Sequence, residues 1–269
     1  MPEKYHWTPK EVVEKIAFPD RKPRAQEKLE ELLKEEKTEI PEERLEFFNL
    51  EEAKEILGEK EVCGPKDVER HFLGGKSLEQ VFSPAELESI QKIPYSREDL
   101  EKAKQLGEIL VLRVPKMEVN GKIVPVTIEH LKEKFPDYFY SQGWYNQEDF
   151  FLRQTPQLEW KLIKKEVLRE SLDKDYQAQE QVLQEYIKKN HLNPKKTRRR
   201  TPIEITYDTF LYFQKNQERL LESTYDRTNV RCSSVGFLID VGHFDRAGLD
   251  VDRWPAEGRR GLLGFCPCR

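Results

Sequence analysis

The sequence has few cysteines, few glycines before its last segment, no long apolar run and no large excess of either charge. Four cysteines in 269 residues are too few for a disulfide scaffold, so we expect a reduced, cytoplasmic protein. No apolar run reaches the roughly 18 residues of a transmembrane helix, and the first residues lack the hydrophobic stretch of a secretory signal. The composition therefore predicts no association with a membrane.

The balance of charge and hydrophobicity is that of a polar globular protein. Charged residues make up 36% of the chain and hydrophobic residues 37%, and the formal net charge is −4. This balance gives no overall basic signal, so nucleic acid is not an expected partner. The 10% of aromatic residues is sufficient for a core and argues against a disordered chain.

Helix signals dominate the first third of the chain. Capping boxes begin at Thr8 and Ser83, and Ser96 begins a helix that Gly107 ends. Residues 24–46 are rich in Glu and Lys, which fits a solvated helix or a linker, and we prefer the helix.

The pattern changes in the second part of the chain, and we predict a boundary near residue 95. Residues 1–95 are a helical region of unknown role, and residues 96–269 are a mixed domain. Asn120-Gly121 between apolar residues indicates a hairpin. Strands are predicted at 109–114, 158–163, 237–241, 249–254 and 262–265, and helices after Thr127, over 173–190 and after Thr201. The expected class is α+β, with early strands pairing with late ones in one sheet.

Cysteine and histidine give weak signals for a metal or a catalytic group. Cys266-Pro267-Cys268 offers two thiols for a soft metal or a redox pair, but a structural zinc site needs four ligands. Cys63 and Cys232 are isolated, so we interpret the pair as incidental. His243 has Asp245 as an available partner, although a solvent-facing or ligand-contacting histidine is the preferred interpretation. We expect no metal and no cofactor.

Three further clusters have ordinary explanations. Asp240, Asp245, Asp250 and Asp252 are acidic, but calcium needs six or more oxygens in a shaped loop and no EF-hand pattern is present. The basic run 195–200 could contact phosphates, yet it has no interleaved aromatics and is better explained as a solvated connector.

Gly74-Gly75-Lys76-Ser77 ends like a phosphate-binding loop, but Arg70 stands where its first glycine is needed. No arrangement typical of catalysis remains, and the sequence does not predict an enzyme.

The last 35 residues contain six of the thirteen glycines and alternate short apolar runs with turn residues. Several motifs in and before this segment resemble the variable proteins of diversity-generating retroelements, over roughly residues 93–269. The strongest are Arg200-Thr201-Pro202-Ile203-Glu204, Tyr207-Asp208-Thr209, Tyr225 to Arg231, Val241-Gly242-x-Phe244-Asp245-x-x-Gly248-x-x-Val251-x-x-Trp254 and Leu263-Gly264. Weaker ones are Ile93 to Ser96, Leu110 to Pro115 and Glu159-Trp160.

The resemblance implies a C-type-lectin-like domain with a small antiparallel sheet, and a binding role without catalysis. In this family an element-encoded reverse transcriptase misincorporates opposite adenines, so the end of the gene encodes a diversified ligand-binding surface. The implied partner is an unknown protein or other macromolecular ligand at the C-terminal surface. Arg227 and Val235 depart from the family pattern, and we therefore expect a variable segment of about 227–268.

The resemblance divides this segment into a fixed scaffold and a ligand-binding set, and we expect the ligand-binding side chains to face solvent on one sheet face. The expected scaffold is Leu238, Val241, Gly242, Phe244, Gly248, Val251, Trp254, Leu263 and Gly264. The expected ligand-binding residues are Arg227, Phe237, Ile239, Asp240, His243, Arg246, Ala247, Leu249, Asp250, Asp252, Arg253, Arg259, Arg260, Phe265 and Cys266. Trp254 is assigned to the scaffold because randomised adenines in an Asn codon cannot produce tryptophan.

Two alternatives stay open. The first is an oxidase resembling formylglycine-generating enzymes, which share the lectin-like core and use cysteines with copper; it would depend on Cys266 and Cys268. The second is a nucleic-acid-binding adaptor that uses the basic run 195–200.

Overall fold

The computed structural model describes residues 49–234 and 236–269, so the predictions at Thr8 and over 24–46 lie outside the described residues. The described residues form a mixed α+β fold with eight α-helices and three β-sheets. The helices are α1 (Leu50–Leu57), α2 (Pro65–His71), α3 (Pro84–Gln91), α4 (Arg97–Leu106), α5 (Ile128–Lys134), α6 (Asp149–Leu152), α7 (Tyr176–Lys189) and α8 (Pro202–Asn216). The strands are β1 (Val62–Cys63), β2 (Glu108–Arg113), β3 (Lys116–Val119), β4 (Lys122–Pro125), β5 (Glu159–Lys164), β6 (Arg198–Arg199), β7 (Tyr225–Arg231), β8 (Phe237–Asp245), β9 (Gly248–Pro255), β10 (Leu263–Gly264) and β11 (Pro267–Cys268).

Local capping signals set several helix ends as predicted. The hydroxyl groups of Ser96 and Thr201 accept hydrogen bonds from the backbone N–H groups of Asp99 and Glu204, whose carboxylates accept from the capping backbone in return. These reciprocal bonds satisfy N–H groups that the first helical turn leaves unpaired. Gly107 ends α4 in the left-handed region with a φ of 66°, which is inexpensive for glycine.

The predicted hairpin is confirmed. Strands β3 and β4 pair in antiparallel register from Lys116–Pro125 to Val119–Lys122. Asn120 and Gly121 form the two-residue turn with φ values of 50° and 81°. Positive φ at both positions is the requirement of a type I′ turn, for which Asn-Gly is the favoured pair.

The first sheet has the order β1-β2-β5-β11-β6 and contains strands from distant parts of the chain. Strand β2 runs antiparallel to β5, and β11 lies between β5 and β6. An early strand therefore does pair with a late one, β5 with β11, but the late strands predicted at 237–241, 249–254 and 262–265 lie in the second sheet.

Strand β1 lies before the boundary predicted near residue 95, and it pairs with β2, which lies after that boundary. Val62 is opposite Leu110 and Cys63 is opposite Val111 in parallel register. All four side chains are fully buried in one hydrophobic core. The described parts of the two predicted regions thus share a sheet and a core.

Helix α8 lies at the centre of the fold, and each of its residues from Pro202 to Phe213 is buried. It contacts β2 of the first sheet and β7 and β8 of the second. A helix that is enclosed on all sides needs internal partners for its polar groups. The Thr206 hydroxyl donates to the carbonyl of Pro202, and the Tyr207 hydroxyl donates to the carbonyl of Leu112.

A buried ion-pair network joins the two sheets through α8. Arg113, at the end of β2, donates to both carboxylate oxygens of Asp208 at 2.8 and 2.6 Å and to Glu204 at 2.7 Å. Arg200 donates to Asp208 at 3.0 Å and to Asp226 of β7 at 2.8 Å. Because the five side chains are almost completely excluded from solvent, each charge depends on the others.

Candidate ligand-binding face

The second sheet has the order β10-β7-β8-β9, and its register decides which side chains share a face. Residues directly opposite each other in antiparallel strands lie on the same side. Arg227, Asp240 and Asp252 therefore form one row, and the next row contains Tyr225, Gly242 and Asp250. The side of the sheet that carries Tyr225, Arg227, Leu238, Asp240, Gly242, Asp250, Asp252 and Trp254 is called the β7–β9 face.

The central row contains a buried ion pair that is incompletely hydrogen-bonded. Arg227 Nε lies 3.4 Å from Asp240 Oδ1, and Arg227 Nη2 donates to the carbonyl of Gly258 at 3.1 Å. Arg227 Nε and Nη1 and Asp240 Oδ1 have no hydrogen-bond partner among the described residues. Burial raises the pKa of Asp240 well above its ordinary value, and the nearby guanidinium of Arg227 opposes this shift without cancelling it. Burial likewise lowers the pKa of Arg227.

The adjacent row combines a carboxylate with aromatic rings. The Tyr225 hydroxyl donates to Asp250 at 2.7 Å, and the Gln142 side-chain amide donates to the other oxygen. The His243 ring stacks on Tyr225 with a centroid separation of 5.7 Å and an interplanar angle of 10°. Burial raises the pKa of Asp250, although the bond from Tyr225 acts in the opposite direction.

The segment 256–262 covers one end of the β7–β9 face. A Cβ atom on Gly258 would lie 2.4 Å from Nε1 of Trp254, so glycine lets the segment lie directly against the indole. The Arg260 guanidinium lies 4.8 Å from the Trp254 ring centre and 5.7 Å from the Tyr225 ring centre. Arg260 Nη1 also lies 4.0 Å from Asp252 Oδ2.

Two glycines fix the sheet beneath these side chains through backbone contacts. A Cβ on Gly242 would lie 2.2 Å from the carbonyl oxygen of Thr224, and one on Gly248 would lie 2.5 Å from the carbonyl carbon of Phe139. Gly248 also has a φ of 111°. Eight of the nine residues predicted as scaffold are buried, and Trp254 is half-buried on the face itself.

The structure brings six of the fifteen predicted ligand-binding residues together at the β7–β9 face. They are Arg227, Asp240, His243, Asp250, Asp252 and Arg260. Arg246 and Ala247 are exposed in the turn between β8 and β9, and Arg259 is exposed and paired with Asp175 at 2.9 Å.

Arg253 and Phe237 lie on the opposite side of the sheet. Arg253 is in register with Ile239, and its guanidinium lies 4.6 Å from the Trp144 ring centre and 5.7 Å from that of Phe237. The expectation that all the ligand-binding side chains share one face is therefore wrong for these two residues.

The expectation that the whole set faces solvent is also wrong for its buried members. These are Arg227, Ile239, Asp240, Leu249, Phe265 and Cys266. Ile239 and Leu249 belong to the main hydrophobic core, and Phe265 belongs to a second core beside α7. The Cys266 backbone N–H donates to Asp226 of the buried network at 2.9 Å. A substitution at one of these positions changes the packing of the core and not a ligand-contacting surface.

No family model, no curated protein and no solved structure matches this chain. Its chemistry must therefore be inferred from its own geometry. Within residues 49–234 and 236–269, no group of three or more His, Cys, Asp or Glu side chains is arranged to hold a metal ion. Of the helices in the same residues, none has both the length and the apolar character needed to cross a bilayer.

The thiols lack the setting that an oxidase would need. Cys266 and Cys268 are 0% and 1% exposed. Burial raises the pKa of both thiols, and the thiolate is the form that reacts or binds a metal. These thiols are thus protonated core groups, and the oxidase alternative gains no support.

The arginines of the basic run 195–200 are used inside the protein. Arg198 pairs with Glu204 at 2.6 Å, Arg199 pairs with Glu180 at 2.5 Å, and Arg200 belongs to the buried network. Strand β6 includes Arg198 and Arg199, so the interpretation as a solvated connector is wrong for the arginines, whereas Lys195 and Lys196 are exposed. The adaptor alternative loses most of its basic surface.

Tyr225 and Gln142 also belong to this site, although neither is among the predicted ligand-binding residues. Tyr225 orients Asp250 and supports His243, and Gln142 also donates to the carbonyl of Val251 at 2.9 Å. The alternation of Tyr225 and Arg227 was an available signal, but only the pairing of β7 with β8 shows which face it marks.

Proposed function

We propose that this chain is a ligand-binding variable protein of a diversity-generating retroelement. Its described C-terminal part is a C-type-lectin-like domain, and the exposed edge of the β7–β9 face with its adjoining loops contacts the ligand. The role is binding without catalysis. Reverse-transcriptase-mediated mutagenesis changes the contacting side chains from copy to copy.

The observation that carries this proposal is a scaffold that depends on backbone contacts beneath side chains of mixed chemistry. Gly242 and Gly248 lie against the neighbouring backbone, where no side chain fits. Above them lie carboxylates, guanidinium groups, an imidazole and two aromatic rings, a mixture that no single reaction requires. Binding surfaces combine rigid aromatic anchors with adaptable polar groups in this way.

Burial restricts the proposed contacts to a subset of the predicted residues. A residue that changes between copies must be replaceable without a cavity or an unpaired charge in the core. The exposed and half-buried members meet this condition. On the β7–β9 face and its loops they are His243, Arg246, Ala247, Asp250, Asp252, Arg259 and Arg260. Phe237 and Arg253 are also half-buried, but they lie on the opposite side of the sheet and outside the proposed contact.

The proposed partner is a protein or another macromolecule. The contacts are distributed over a sheet face, a hairpin turn and a loop, which suits an extended interface. We also propose that the protein acts in the cytoplasm, and its four cysteines are free thiols, as a reducing compartment requires.

The decisive experiment is to sequence the genomic locus around this gene. We expect a near-identical template repeat of the segment that encodes residues 227–268, differing only at adenines, beside a reverse transcriptase gene. The differing codons should be those of the exposed and half-buried positions, with Val241 and Gly242 unchanged. A locus without a repeat and a reverse transcriptase, or with differences concentrated at scaffold codons, would contradict the proposal.

A further inference from the structure

One corner of the β7–β9 face has the chemistry of a cation site. Tyr225, Trp254 and Asp252 surround the guanidinium of Arg260, which lies within 5.7 Å of both ring centres and 4.0 Å from the carboxylate. An aromatic ring face and a carboxylate both attract a cation, and a planar guanidinium stacks well on an aromatic ring. Tyr225, Trp254 and Asp252 are together called the cation cage.

Arg260 occupies the cation cage loosely. Its side chain is 38% exposed and that of Asp252 is 36% exposed. The separation of 4.0 Å between their charged atoms exceeds hydrogen-bond distance. The Arg260 backbone is held in place, since its carbonyl accepts from the N–H groups of Asp173 and Leu263 at 3.1 and 3.0 Å. The side chain can therefore leave the cage by rotation alone.

The surroundings require a cation in the cage. Asp252 lies directly across from Asp240 and two residues along the strand from Asp250, on the same face. The guanidinium of Arg227 is already committed to Asp240 and to the carbonyl of Gly258. If Arg260 leaves, the carboxylate of Asp252 loses the cation that lies beside it, and another cation is favoured in its place.

We propose that the cation cage binds an arginine side chain of a partner protein, and that Arg260 is an internal competitor which the partner displaces. This inference rests on the proposed ligand-binding role of the face and specifies its partner as a basic, arginine-bearing segment. Because Arg260 is tethered, it competes at an effective concentration on the order of millimolar. An exposed ion pair and an exposed cation–π contact together stabilise Arg260 in the cage enough to weaken the binding of a competing arginine about tenfold.

The test uses the full chain and two short blocked peptides, one with a central arginine and one with its uncharged isostere citrulline. Binding is measured by NMR from the indole N–H resonance of Trp254, assigned with the variant Trp254→Phe. Three variants are compared with the wild type: Arg260→Gln, the matched control Arg259→Gln and the double variant Asp252→Asn/Arg260→Gln. Arg259 is a suitable control because it is adjacent, exposed and paired elsewhere, with Asp175.

We expect Arg260→Gln to bind the arginine peptide about tenfold more tightly than the wild type does. Arg259→Gln should match the wild type, the double variant should lose the gain, and the citrulline peptide should bind weakly throughout. Equal binding by the wild type and Arg260→Gln, a gain shared by Arg259→Gln, or equal binding of both peptides would overturn the inference. If these binding experiments fail but the genomic locus contains the template repeat, the cation-cage proposal is refuted and the proposed function is not.

Discussion

Replacing Asp208 with asparagine tests whether the buried network holds the two sheets together. In the network, Asp208 is the one carboxylate that accepts from both buried arginines, Arg113 and Arg200. Asp208→Asn keeps the size of the side chain but removes the charged acceptor that lies between Arg113 and Arg200 in a region closed to solvent. It also turns an amide N–H group toward guanidinium donors, where an acceptor is needed.

The expected loss in the free energy of unfolding follows from the burial of the network. Breaking a buried ion pair by removing one partner typically costs about 3–5 kcal/mol. With a urea dependence of about 2.5 kcal/mol per molar, a loss of about 4 kcal/mol lowers the unfolding midpoint by about 1.6 M. Asp149→Asn is the matched control, because Asp149 pairs with Arg153 at 3.4 Å on the surface, with its side chain 74% exposed. That control should cost less than about 1 kcal/mol.

Urea-induced unfolding followed by circular dichroism measures both changes. A loss for Asp208→Asn within about 1 kcal/mol of the loss for Asp149→Asn would refute the reasoning. It would show that water or rearrangement compensates the unpaired guanidinium groups of Arg113 and Arg200.

Three further predictions test the acid response, the backbone scaffold and the thiols. Burial by itself would raise the pKa of Glu204, but nearby guanidinium groups outweigh it and lower the pKa to about 2. The stabilising contribution of the Glu204 carboxylate should therefore be present above pH 4.5 and be lost as the pH falls toward 2. In Glu204→Gln, the free energy of unfolding should consequently depend less steeply on pH between 4.5 and 2. A slope equal to that of the wild type would contradict this. Gly242→Ala should lower the free energy of unfolding by about 3 kcal/mol, because the new Cβ would collide with the backbone of Thr224 and Tyr225. The control Gly261→Ala should change it by less than about 0.5 kcal/mol, because no atom lies within 4 Å of the new Cβ. Equal losses for the two variants would argue against the close backbone contact at Gly242. Cys266 and Cys268 should react with a thiol reagent only after the protein is unfolded in denaturant, and rapid labelling of the folded protein would restore the oxidase alternative.

Signals that act within a few residues predicted the local structure well. The helix starts at Ser83, Ser96 and Thr201 and the turn at Asn120-Gly121 appear where the sequence places them. Each depends on hydrogen bonds and backbone angles that the neighbouring residues alone determine. Such features could be predicted without knowledge of the fold.

Elements that exist only through long-range pairing were not predictable in the same way. Strands β1 and β11 have two residues each, too few for any alternation, and only their partners define them. Strand β7 was missed because Asp226 and Arg227 suggest exposure, although ion pairs allow both to be buried. Charge indicates a surface only when no partner is available inside.

The candidate site was predicted in composition but not in its arrangement. Of the predicted acidic cluster, Asp240, Asp250 and Asp252 share a face, whereas Asp245 lies beyond the register shift, opposite Gly248. The register of β8 with β9 shifts between Gly242 and Asp245, so counting alternate residues does not place His243. The same register places Arg253 on the other side.

The position of β11 has a consequence for the making of the protein. Strand β11 is the last element of the proposed variable segment, and it lies between β5 and β6 in the first sheet. A translation product that stops or shifts frame within the variable segment lacks β11, and it exposes the unpaired edges of two strands. Such a product cannot complete its fold and becomes a substrate for proteases. Under the proposed function, a rewritten copy must therefore keep its reading frame through β11 to reach the folded state.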